Sequence, residues 1–207
     1  MDDSEPQPHE VQPGLDPEHL RTLAQWIAEA RRSALAPDSF HPEKGDNGQT
    51  VGFTAFTRQG TRIIQELNSG LHPWLRVVSQ MPELVITINH VPLRICRDEG
   101  DLRPKSKYQH LHVQEKVVQG QLEFGDPRIL PADVCWRVLY RTDDTYELKE
   151  IVLVQLDIHQ QKVLYSWPIP FAQEGGPSTL SLPGSAPTAL RVPYIGEKSI
   201  NQEENTA

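Results

Sequence analysis

Residues 107–116 read KYQHLHVQEK, which sets His110 and His112 around one leucine with Glu115 just beyond. In an extended chain, side chains two apart leave the same side, and an H-x-H pair can grip a metal ion. In a helix the two rings diverge by about 200° and cannot share one. Helical signals are the stronger. Ser106 and Gln109 have capping-box spacing. Tyr108, Leu111, Val118 and Leu122 fall on one stripe, with Glu115 a polar gap in it. Against this, HLHV alternates like a strand and VVQGQLEF could run on extended. The segment is predicted as a helix, so no metal and no other cofactor is expected.

The rival reading needs more ligands. His110, His112 and Asp157 would be the metal candidates, with His90 and His159 as further imidazoles. Glu147 and Lys149, in YELKE, match half of the acid–acid–lysine pattern in which carboxylates hold a divalent ion and a lysine orients water. Asp133, Asp143 and Asp144 lie near in sequence, but the last two read as a turn and Asp133 precedes a strand. A charged outer strand face explains Glu147 and Lys149 more simply. The alternative function is a metal-dependent hydrolase or nuclease using His110, His112, Glu147 and Asp157.

Two further segments carry candidate contacts. RPKSK supplies Arg103, Lys105 and Lys107 at an expected helix start, where backbone N–H groups favour anions. Nucleic-acid contact through 103–107 is a third reading, with no interleaved aromatics to strengthen it. Near the C-terminus, ALRVPYI places Leu190, Val192, Tyr194 and Ile195 in a polar, Gly/Ser/Pro-rich tract, read first as scattered apolar residues of a disordered tail and alternatively as a short docking strand or partner motif.

Composition narrows the class. The chain has 207 residues, a net charge of −8, 37% hydrophobic and 23% charged residues, and 18 prolines. Its pI is about 5.5 and its mean hydropathy −0.50. An acidic protein repels nucleic acid and anionic lipid on average. No run approaches the ~20 apolar residues of a membrane span, so no membrane partner is expected. MDDSEPQPHEVQPG lacks the apolar core of a signal peptide. Cys96 and Cys135 sit in apolar runs and read as reduced core thiols, which fits a cytoplasmic protein. No G-x-x-x-x-G-K, G-x-G-x-x-G, C-x-x-C, H-E-x-x-H or G-x-S-x-G occurs.

The elements that must position these residues follow from local chemistry. Asp16 can cap a helix with Pro17 at its first position, and Leu20, Leu23 and Ile27 continue at helical spacing. A second helix is predicted from about Thr54 to Asn68, its apolar face including Phe53, Phe56 and Ile63, with Gly60 as a weak point and the stop NSG after it. LVITINHVPLRICR reads as a hairpin turning at Asn89-His90, with Pro92 at an edge or an unpaired start. VCWRVLYRT, YELKEIVLVQLD and KVLYSWPI read as a meander, and IVLV as a central strand covered on both faces. HPWLRVVSQ fits a short helix or a strand. Trp26, Trp74, Trp136 and Trp167 are expected as core anchors.

The fold is therefore predicted as α+β: an antiparallel sheet of about five strands, from a hairpin over 84–97 and a meander over 134–167, packed with two or three helices. Residues 1–15 are predicted as a disordered arm, 16–171 as one domain and 172–207 as a flexible tail. The leading functional expectation is a non-catalytic intracellular binding or accessory protein, engaging another protein through a sheet edge or the tail.

Overall fold

The computed structural model describes residues 6–98, 100–123, 133–159 and 162–172, with the side chains of 106 and 120–123 left out. The packed body starts ahead of the first expected cap. Pro8–Val11 forms one helical turn, α1, and Leu15 is fully buried. So residues 8–15 of the segment read as an arm pack against the body, because Pro8, Gln12 and Leu15 have surface to bury. Residues 1–5 lie outside the described residues.

Helix α2 spans Pro17–Leu35 as its cap chemistry requires. The Asp16 carboxylate accepts the Glu18 N–H at 2.7 Å, and Pro17 fills a position that needs no donor. Its inner face is Leu20, Leu23, Ala24, Ile27 and Ala34. Helix α3 spans Gly48–Ser69 and begins earlier than the apolar pattern suggests. Asn47 Oδ1 accepts the N–H groups of Gln49 and Thr50 at 2.9 and 3.4 Å, so the last residues of a turn-rich stretch become the first helical turn. Gly70, at φ 72°, closes it. With that start the buried face is Val51, Ala55, Gln59 and Ile63, and Phe53 is turned outward, 71% exposed. Gly60 does not break the helix. A Cβ there would stand 3.1 Å from Met81 Sδ, so the glycine admits the neighbouring chain.

The sheet has six strands: β1 Leu75–Ser79, β2 Val85–Ile88, β3 Val91–Arg97, β4 Val134–Thr142, β5 Leu148–Asp157 and β6 Val163–Pro168. They lie in sequence order across the sheet. The sixth strand is β1, formed by HPWLRVVSQ. The predicted turn at Asn89-His90 closes β2 on β3, both residues with positive φ (45° and 75°). The sheet is not wholly antiparallel: β3 pairs with β4 in parallel, Leu93 opposite Trp136 and Arg97 opposite Tyr140. β3 is therefore internal, yet Pro92 lies one residue before the ladder to β4 begins and owes it no hydrogen bond.

A parallel neighbour demands a crossover, because the chain must return to its starting end. Residues 98–133 make it, and the helix α4, Val113–Glu123, belongs to it. α2 and α3 cover one sheet face with Leu20, Leu23, Trp26, Ile27 and Ile63 against Leu93, Trp136, Val138, Ile151 and Leu153. On the other face Cys96, Cys135, Leu139, Val152, Val154 and Leu156 lie under Leu102, Tyr108 and Leu111 of the crossover. IVLV alternates between the two cores, as a centrally covered strand must. Trp26, Trp136 and Trp167 are buried, and Trp74 packs half-buried at the rim. No described helix is long and apolar enough to cross a membrane.

Replacing Asp16 with alanine removes the α2 cap without touching the core. The expected outcome is a loss of about 1 kcal/mol in urea denaturation with an unchanged m-value. A changed m-value would mean that the cap does more than close the helix end.

Candidate functional site

His110 and His112 sit in the crossover, ahead of α4. Ser106–Tyr108 is a single 3₁₀ turn, His110 lies in a bend, and the helix begins at Val113. The segment is thus neither the continuous helix expected from Ser106 nor an extended strand. Gln109 is diverted from the expected capping box, donating instead to the Pro104 carbonyl at 2.8 Å. His112 is the cap of α4. Its Nδ1 accepts the Gln114 N–H at 3.3 Å, its N–H donates to Glu115 Oε2 at 2.7 Å, and its carbonyl accepts the Lys116 N–H. A capping box is present, shifted six residues along and built on an imidazole.

Glu115 shows why the helix starts there. The polar gap in the stripe is a fully buried carboxylate, paired with the equally buried Arg137 at the middle of β4. Nη1 donates to Glu115 Oε1 at 2.5 Å and to the Trp136 carbonyl at 2.7 Å. Nη2 donates to the His110 carbonyl at 2.9 Å and to Glu115 Oε2 at 3.2 Å. Nε donates to the Tyr108 carbonyl at 2.7 Å. Five hydrogen bonds thus match the five N–H donors of a guanidinium. Burial pulls the Arg137 pKa down, but Glu115, followed by the Cys135 and Cys96 thiols, outweighs it and the net direction is up. Two neighbours reinforce the attachment. Gln119 Nε2 donates to the Val134 carbonyl at 3.2 Å, and the Arg94 guanidinium lies 4.4 Å from the centre of the Tyr108 ring while pairing with Glu83.

The residues of the metal-enzyme reading do not converge. Glu147 precedes β5 and Asp157 ends it, which separates them by roughly 30 Å of extended chain. Glu147 donates its N–H to Asp143 Oδ1, which also takes the Thr145 N–H and hydroxyl. These bonds, the hydroxyl's first, hold the Asp143 pKa down and close DDT as a turn. Lys149 is exposed. Asp157 Oδ1 accepts the His159 N–H at 2.8 Å, while the His159 ring meets Asp133 at 3.0 Å. His90 is in the β2–β3 turn and His110 is exposed. Among the described residues no three His, Cys, Asp or Glu side chains come together as a metal site.

The basic candidates also change setting. Arg103, Lys105 and Lys107 are exposed, but the helix start expected beside them lies at Val113, where His112 and Glu115 already serve the backbone. Lys107 Nζ rests 4.7 Å from the Tyr108 ring centre. The Arg103 N–H is held by Asp98, whose other oxygen takes Nε of Arg141 at 3.0 Å. Leu190, Val192, Tyr194 and Ile195 lie outside the described residues. The thiols are free and buried. Cys96 stands beside Leu139, four residues along β4 from Cys135, about 13 Å away and beyond disulfide reach.

Sequence reasoning missed Arg137 and Arg94 as organising residues. The available signals were an arginine inside the apolar run VCWRVLY, a second inside VPLRICR, and an acid in the apolar stripe of α4.

Removing one partner of the buried pair strands the other charge. Glu115→Leu and Arg137→Met are each expected to cost about 3–5 kcal/mol in urea denaturation, and the double variant clearly less than their sum. Strict additivity would mean the two side chains are not coupled. Burial pushes the Cys96 thiol up to about 12 and the Cys135 thiol to about 11, against the opposing pull of nearby Arg137. A thiol reagent at pH 8 should leave both untouched in the native protein and label both after denaturation. Fast labelling of the native protein would show that the crossover opens.

No protein-family model, no curated protein and no solved structure matches this chain.

Proposed function

We propose that this protein is a non-catalytic binding or accessory protein that takes an extended segment of another protein along the outer edge of β6. The observation that carries the reading is the contrast between the two sheet edges. β1 carries Arg76, a charge that discourages strand pairing, whereas a register irregularity is common to both edges, between Val77 and Ser79 on β1 and at Leu164 on β6. β6 pairs with β5 on one side and with no other described strand. It has no charged residue from Val163 to Pro168, and Leu164 is 49% exposed.

Backbone direction identifies the outward-facing donor. The Ile169 N–H donates to the Ile151 carbonyl at 2.8 Å, so alternate residues inward along β6, Trp167 and Tyr165, face β5. Ser166 then turns its N–H outward, and Pro168 occupies an outward position, where its missing donor costs the sheet nothing. An added strand would bond to the main chain and seat alternate side chains beside Leu164. A cytoplasmic setting is part of this proposal, supported by two unbridged thiols.

Ser166→Pro blocks the outward donor while leaving the β5 ladder intact. In pull-downs from cell extract the expected outcome is loss of the bound protein with Ser166→Pro and its retention when residues 173–207 are deleted. Retention with Ser166→Pro and loss on deletion would move the contact to the tail and overturn the edge reading.

A further inference from the structure

Three separate stretches of chain meet at Trp74, just ahead of β1. The His19 ring of α2 stacks on its indole, 4.4 Å between centres and 14° between planes. The His72 ring meets Trp74 and Trp26 edge-on at 5.3 and 5.1 Å. The Trp74 carbonyl accepts the N–H of Asn89, the first residue of the β2–β3 turn, at 2.8 Å. The Asn89 side chain then closes the circuit. Its Nδ2 donates to the Gly14 carbonyl at 3.1 Å and lies 3.4 Å from His19 Nδ1.

The protonation state this contact needs can be read from its partners. A carbonyl only accepts, so the amide nitrogen, not the oxygen, must face Gly14. The same nitrogen then presents a donor to His19 Nδ1, which can accept only while it carries no proton. Gly14 itself is clamped: a Cβ there would lie 2.6 Å from Val91 Cγ2. We propose that His19 is a proton-sensitive latch on the Asn89 amide, steadying it on the Gly14 carbonyl while Nδ1 is bare and withdrawing that support when Nδ1 takes a proton.

The charges around the ring are few and come from every packed element. On α2 and its cap, Glu18 and Asp16 favour the protonated ring. From the α3–β1 connection, His72 opposes it. His72 is itself 3.2 Å from Glu66 of α3, which pairs with Arg62. The turn contributes Asn89 and exposed His90. Burial is the largest influence and Asp16 the next, and the net direction for the His19 pKa is down. The unfolded ring, with its ordinary value near 6.5, therefore binds a proton more readily than the folded one. Its contribution to stability is whole above that value and is lost as pH falls through the lower folded midpoint.

The test is an NMR titration of the full chain from pH 7.5 to 5, following the His19 ring and the amides of Gly14, Leu15 and Asn89. The expected result is that the amide shifts follow the His19 midpoint, below 6.5. In His19→Phe, which keeps a stacked ring and cannot titrate, they should hold still. Amides that do not move in the natural chain, or that move identically in His19→Phe, would overturn the latch. If the variant does not fold, the natural chain still decides: amides that follow another histidine's midpoint reject the proposal.

Discussion

A guanidinium at the centre of a sheet is tolerable only when every donor it carries is met. Arg137 meets all five, and four of its acceptors lie in the crossover: the carbonyls of Tyr108 and His110 and both oxygens of Glu115. That requirement governs much of the surrounding geometry. The two carbonyls must face inward, so the chain from Tyr108 to His110 bends across the sheet rather than coiling away from it. Glu115 must point down, so α4 presents that side and turns Val113 and Val117 outward. The carboxylate also reaches back to the His112 N–H, which fixes where the helix begins.

The same constraint explains the second core. The crossover is needed because β3 and β4 are parallel, and once laid over the sheet it must cover Cys96, Cys135 and Leu139. Leu102, Tyr108 and Leu111 do so. A buried pair stabilises little beyond what apolar packing would give. What it supplies here is a fixed position for a connector with modest apolar surface of its own. Arg94 stacked on Tyr108 and Asp98 holding the start of the loop extend that attachment along β3.

The opposite face depends on packing. α2 and α3 bury aliphatic side chains against strands whose inward residues are nearly all apolar. Polar contacts there include buried Arg31 of α2, whose Nε donates to the Tyr146 carbonyl, and the rim where Trp74 joins α2, the α3–β1 connection and the hairpin turn. The molecule thus has one sheet face held mainly by apolar packing and one organised around a centred charge pair. Among the described strands, β6 is paired on one side only and ends the sheet.

Much of the fold was legible residue by residue. Asp16-Pro17 announced α2, Asn89-His90 the hairpin, DDT the β4–β5 turn and IVLV a strand covered on both sides. Each is a local matter of capping, backbone conformation or alternation, which a few neighbouring residues decide. The earlier start of α3 at Asn47 was hidden because its first turn has turn-like composition. The parallel pairing of β3 and β4 was not legible, because strand direction depends on where a long connector returns. The fate of KYQHLHVQEK was decided at that same level. Its local signals favoured a helix from Ser106, but Arg137, 22 residues beyond Glu115 in the chain, claims the carbonyls and carboxylate that set the true helix start. A sequence determines caps, turns and faces through contacts along the chain. Which buried charge finds which partner is settled only when distant segments share one dry interior.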